Sequence, residues 1–252
     1  MKEKFILEKD VLSEINDTVL FYPSSGNDLI TPIKIFSPFV TEFWFVDKGY
    51  FVSGNQDTRI HGLDAPANKQ EPLLGSNKAY KLVDTQISGA VNWPRYDRDI
   101  EPCILTEIYL HHSSGKHITI HRRRGYGFSA LHTEIKKLGV FFYRGDSLGE
   151  GGSGNLWLES GHVNEVCEKL NSTGLIVTDG SNHGRKKMSD YQKLAKYYFR
   201  SKDTLASPTE LIESMEQFHD AYGREFKCVG YAGHRYGPTM IWQVKKRIPD
   251  YE

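Results

Sequence analysis

Apolar and polar positions alternate most legibly between Val140 and Gly184. Val140–Tyr143 is apolar throughout and stops at Arg144-Gly145-Asp146, which predicts a buried strand. Leu156, Leu158, Val163, Val166, Cys167 and Leu170 then recur at helical spacing. Gly174 is placed to end that helix, and Leu175–Val177 reads as a second short strand. Strand, helix and strand in this order predict a βαβ unit with parallel strands. Its two polar loops, Gly145–Asn155 and the stretch TDGSNHG, would then share the carboxyl edge of the sheet, where open α/β sheets bind ligands.

The start of the chain repeats the order. Residues 1–17 read as a short amphipathic lead-in. Thr18–Tyr22 predicts a strand broken by PSSGND, Pro32 opens a short helix, and Glu42–Val46 predicts a strand closed by Asp47. Residues 53–102 read as an irregular insertion rich in Gly and Pro. Cys103–His111 and His117–Arg124 predict an antiparallel hairpin, and Ala130–Lys137 a short helix. Met188–Arg200 reads as a helix. Ser207-Pro208-Thr209-Glu210 has the form of a capping box, for a helix running to about Ala221 with Gly223 as its stop. Phe226–Ala232 and Thr239–Val244 predict a closing antiparallel pair. No internal sequence repeat is evident.

Composition narrows the classes. Lys+Arg and Asp+Glu both total 32, so no global charge favours nucleic acid or an acidic membrane. Three widely spaced cysteines argue against a disulfide framework and fit a reducing cytoplasm. No apolar run approaches a membrane span, and the charged N-terminus lacks the apolar core of a signal peptide. These features predict a cytoplasmic protein without membrane or nucleic-acid partners, built as one domain over residues 1–252.

The order of elements resembles the class I S-adenosylmethionine-dependent methyltransferase fold over Thr18–Val52 and Val140–Val244. The resemblance implies an α/β, Rossmann-like three-layer sandwich, with a mostly parallel sheet and a C-terminal antiparallel hairpin. It implies S-adenosylmethionine as cofactor and an unidentified substrate. The first turn would lie near the methionine part of the cofactor, through Ser25, Gly26 and Asp28, and Asp47 would hold the ribose with Tyr50 near the adenine. Asp179 falls on the same predicted edge, and Asp146 and His183 are the candidate acid–base residues there.

The turn PSSGND has a single glycine with its acid after it, which supports a different reading: a non-catalytic binding protein whose cofactor turn has degenerated. A third reading uses the edge carboxylates in a metal-dependent hydrolase, although no HExxH or CxxC accompanies them. The histidines at 111, 112, 117 and 121 read as a polar hairpin face. Arg122-Arg123-Arg124 cannot form one patch on a strand, because neighbouring side chains point to opposite faces.

Overall fold

The computed structural model describes residues 5–53, 63–94, 100–145, 156–181, 190–195, 207–234 and 237–246. The chain forms two compact units. One is Asp17–Lys136; the other combines Met1–Asn16 with Lys137–Glu252.

The 17–136 unit begins with strand β2 (Thr18–Pro23), helix α2 (Ile30–Phe36) and strand β3 (Val40–Asp47). It continues with a short 3-10 turn at Ala67–Lys69, then β4 (Tyr80–Gly89), β5 (Cys103–His111), β6 (His117–Arg124) and helix α3 (Gly127–Thr133). β2 and β3 pair in parallel, as the βαβ pattern predicts, with Phe21 opposite Trp44. β6 lies parallel on the far side of β3, with β5 and then β4 added antiparallel beyond it. Leu20, Phe21, Phe43, Phe45 and Ile120 are fully buried, with Ile33 and Phe36 of α2. β2 and β3 are thus buried on both faces, whereas β5 alternates buried with half-buried positions, so a slip of β5 by one residue would send its buried set to the other face.

The 137–252 unit contains β7 (Leu138–Tyr143), α4 (Ser160–Lys169) and β8 (Leu170–Thr178), again with parallel strands. A 3-10 segment (Asp190–Ala195), helix α5 (Pro208–Glu213) and strands β9 (Phe218–His219), β10 (Glu225–His234) and β11 (Pro238–Lys245) follow. β11 pairs antiparallel with β8 and with β10. The outer side of β10 carries β9 and the N-terminal strand β1 (Phe5–Leu7), which precedes helix α1 (Lys9–Glu14).

This architecture corrects the Rossmann-like expectation. Among the described residues, six strand pairings within the units are antiparallel and three are parallel. The α-helices described are short, between 6 and 10 residues. The protein is therefore a sheet-rich mixed α/β structure, not a three-layer sandwich, and the methyltransferase-like resemblance fails with it. The two βαβ readings are locally correct. The hairpins on either side of them decide the sheet, and a hairpin pairs antiparallel by construction.

Two local expectations also change. Gly174 does not end a helix: α4 stops at Lys169, and Gly174 lies inside β8 opposite Val244. A Cβ there would come within 2.7 Å of Leu170 Cδ2 and 3.3 Å of the Gly139 carbonyl, so the glycine permits close packing of neighbouring strands. The helix after Ser207 ends at Glu213, well short of Ala221. Phe218 instead joins β9 and stacks on Phe226 with ring centroids 4.7 Å apart. Asp220 accepts from the Tyr222 and Arg224 N–H groups, both at 2.9 Å, and turns the chain into β10.

Candidate functional site

The carboxyl ends of β2 and β3 lie side by side because the strands are parallel. After β2 the chain turns through Ser24 and Gly26, both left-handed at φ 54° and 52°. The turn delivers the Gly26 N–H to Asp47 Oδ2 at 3.0 Å, while Gly49 N–H donates to Asp47 Oδ1 at 2.8 Å. Ser25 Oγ lies 2.7 Å from the Tyr50 hydroxyl, which donates to the Gly26 carbonyl at 2.5 Å. Tyr22 donates to Asp28 Oδ2 at 3.1 Å. Ser25, Gly26, Asp28 and Asp47 are thus brought together, and Tyr22 and Tyr50 complete the cluster.

Tyr22, at the end of an apolar run, reads as core from sequence, and Tyr50, expected as a surface against the adenine, instead acts through its hydroxyl. Tyr50 is fully buried, and its hydroxyl belongs to the cluster's interior. Burial pushes the Tyr50 phenol well above its usual range, with the Asp47 charge adding to the shift.

The 137–252 unit repeats the device. Gly145, at φ 73°, follows β7 and donates its N–H to Asp179 Oδ2 at 3.0 Å. Ser181 N–H donates to Asp179 Oδ1 at 2.9 Å, and Gly180 N–H to Thr178 Oγ1 at 3.0 Å. In both units a glycine after the first strand bonds one oxygen of the acid closing the second, and the residue two beyond that acid bonds the other. The spacing differs, 21 residues from Gly26 to Asp47 and 34 from Gly145 to Asp179, so the likeness lies in geometry rather than sequence.

Asp179 is buried, and desolvation raises its pKa against the Ser181 and Gly145 hydrogen bonds and the Arg144 charge. Arg144 is buried as well, its guanidinium 5.4 Å from the Phe142 ring and 3.4 Å from the Ala232 carbonyl. Asp146 and His183, the predicted acid–base pair, lie outside the described residues.

What such a pair of strand-end carboxylates does chemically is to hold two loops at once. Each oxygen receives a backbone N–H that would otherwise have to be hydrated or paired elsewhere. Backbone amides thus use the acid expected to take ribose hydroxyls.

The three arginines at the end of β6 follow the alternation. Arg122 and Arg124 serve one face and Arg123 the other, and all three are buried. Arg122 pairs with buried Glu107 at 3.1 Å and donates to Gln70 Oε1 at 3.0 Å. Arg124 donates to the carbonyls of Glu101, Phe51 and Ala90, anchoring segments around the insertion. Arg123 donates to Ser129 Oγ at 3.2 Å and faces Glu134 at 3.6 Å.

The hairpin histidines separate. His111 bonds Ser114 at 2.8 Å, whereas His121 reaches Thr106 Oγ1 at 2.9 Å through Nδ1 and Glu42 Oε1 at 3.3 Å through Nε2. Trp44 stacks on the His121 ring at 3.9 Å and donates to Glu42 at 2.5 Å. The His121 hydrogen bond is the leading cause of the lowered Glu42 pKa. Hydroxyl, imidazole and carboxylate stand in line here under the Trp44 indole that covers the ring. The trio braces β5, β6 and β3.

Among the described residues no group of three or more His, Cys, Asp or Glu is disposed to hold a metal, and no helix is long and apolar enough to cross a membrane. Comparison with protein-family models, curated proteins and solved structures gives no match to this chain.

Proposed function

We propose that this protein is a non-catalytic binding protein, and that it engages its partner through the outer edge of β4 rather than through a cofactor cleft. One observation carries the first half. At both predicted ligand edges the acid, Asp47 or Asp179, spends each of its oxygens on a backbone N–H. Ser25, Tyr22, Asp28 and Tyr50 are likewise engaged with one another and with backbone. A polar cluster bonded this way holds its loops, and its acids are oriented by backbone rather than left open towards a ligand.

The second half rests on β4. It is ten residues long and exposed along nearly its whole length, and its outer backbone groups offer a template for an added strand. A cytoplasmic location accompanies this reading. All three cysteines are free and buried, and burial pushes the Cys167 and Cys228 thiols up to about 12, as inert core groups.

The test is thermal unfolding with S-adenosylmethionine, S-adenosylhomocysteine, NAD, ATP, Mg²⁺ and Mn²⁺. A ligand at a hundredfold excess over its dissociation constant stabilises by about 2.7 kcal/mol, a readable shift for a chain of this size. The expected result is no shift with any of them. A saturable shift with the adenosyl ligands that Asp47→Ala abolishes would overturn the proposal and restore the cofactor reading. A shift with a divalent cation alone would restore the hydrolase.

A further inference from the structure

We infer that the partner taken by the β4 edge is a second copy of this chain, paired antiparallel about a two-fold axis with Lys81 of each copy opposite Asp84 of the other. This rests on the binding reading above and names its occupant. The two units treat their outer strands differently. In the 137–252 unit the outer side of β10 is occupied by two very short strands, β1 with three residues and β9 with two. Short edge strands are a usual defence against unwanted pairing. In the 17–136 unit, β4 runs for ten residues without a proline and, among the described residues, pairs only with β5. Val83, beside the two-fold axis proposed below, is 53% exposed, so apolar surface accompanies the edge there.

A bulge makes the strand self-complementary. Lys81 lies opposite Leu110 and Asp84 opposite Ile108, with the register shifting between Leu82 and Asp84. Leu110 and Ile108 share a face of β5, and residues directly opposite one another share a face. Lys81 and Asp84 therefore stand on the same face, although they are three residues apart. In a regular strand they would point to opposite sides. A lone lysine and a bulge on an edge normally deter pairing. Asp84, on the same face, accepts from its own Thr85 N–H and from Gln86 Nε2, both at 2.8 Å, and with its remaining lone pairs it completes a reciprocal pair with the partner's Lys81. A two-fold axis between Leu82 and Val83 sets Lys81 against the partner's Asp84, and Asp84 against the partner's Lys81. Such an interface is isologous and closes at two copies, pairing residues 80–85 of each β4.

The experiment measures the mass of the full-length protein in solution over a range of concentrations, for the wild type, Lys81→Asp, Asp84→Lys and the double swap. Both side chains are exposed, so the substitutions leave the core untouched. The inference expects a dimer whose dissociation constant rises about tenfold or more in each single variant, where like charges face each other twice, and recovers in the double swap. A monomer at every concentration overturns the inference. So does a dimer indifferent to both single charge reversals, since its interface then lies elsewhere. A monomer that binds a synthetic peptide spanning residues 80–89 overturns self-association but keeps the strand edge as a binding element. The binding reading itself fails only in the ligand-shift experiment, so the two failures are distinguishable.

Discussion

Replacing Glu107 by alanine tests whether the basic run on β6 is built for the interior. Glu107 and Arg122 each have side chains only 2% exposed and meet at 3.1 Å. The carboxylate also accepts from the Leu73 N–H and the Tyr109 hydroxyl, both at 3.1 Å. Glu107→Ala removes all three acceptances and leaves the guanidinium buried with only Gln70 Oε1 and the Glu71 carbonyl. Stranding one partner of a buried pair costs about 3–5 kcal/mol. That is a large part of the roughly 5–15 kcal/mol by which a native protein is stable.

The assay is urea unfolding at neutral pH, with Glu107→Leu/Arg122→Met measured beside it. Removing both charges removes the desolvation cost along with the attraction, so the double variant should regain more than half of the loss. A loss below about 1 kcal/mol in Glu107→Ala would refute the reasoning, because Arg122 would then find water or another anion easily and could serve an outside ligand after all.

Three further outcomes follow from the same geometry. Asp47→Ala removes the acceptor of two backbone N–H groups at a half-buried site. It should cost about 1–3 kcal/mol in urea unfolding, and no measurable cost would remove the loop-holding role. Asp179 has a pKa raised from 3.8 by burial, so its contribution to stability is complete below about pH 3.8 and is lost as pH rises through the raised value. Relative to an always neutral Asp179→Asn, the wild type should therefore lose stability in urea unfolding as pH rises from about 3.5 to about 7, and a gain over that range would contradict the burial argument. At Gly230 a Cβ would overlap the Ile6 carbonyl oxygen across the β1–β10 pairing. Gly230→Ala should cost about 1–3 kcal/mol and release the amides of residues 5–7 to hydrogen exchange; unchanged protection there would show that β1 tolerates the intrusion.

Local patterns determined a good part of this protein. Apolar runs located β2, β3, β7 and the β10–β11 pair, and the strand–helix–strand order gave both parallel pairings. The capping box at Ser207 is present as read, with Ser207 accepting from Glu210 N–H and Glu210 reaching back to Ser207 N–H. Alternation along β6 correctly divides Arg122 and Arg124 from Arg123. Each of these depends on residues near one another in the chain, where spacing alone sets direction and dihedral preference. The convergence of Ser25, Gly26, Asp28 and Asp47 is legible for the same reason, since parallel strands of one βαβ unit must end together.

Tertiary structure decided the rest. Whether β3 is followed in the sheet by another crossover strand or by a hairpin strand depends on pairings between segments far apart in sequence, such as Phe45 with Arg122. Periodicity carries no information about such a choice, so it predicts a mostly parallel sheet where a mostly antiparallel one forms. The role of an acid at a strand end is equally hidden. Asp47 beside a glycine turn reads as a ligand, and only the folded backbone, bringing the N–H groups of Gly26 and Gly49 to its two oxygens, turns it into a brace. The bulge that puts Lys81 and Asp84 on one face arises from pairing with β5, where two residues share one partner position. The sequence of β4 taken by itself places those charges on opposite sides, and the neighbouring strand reverses that.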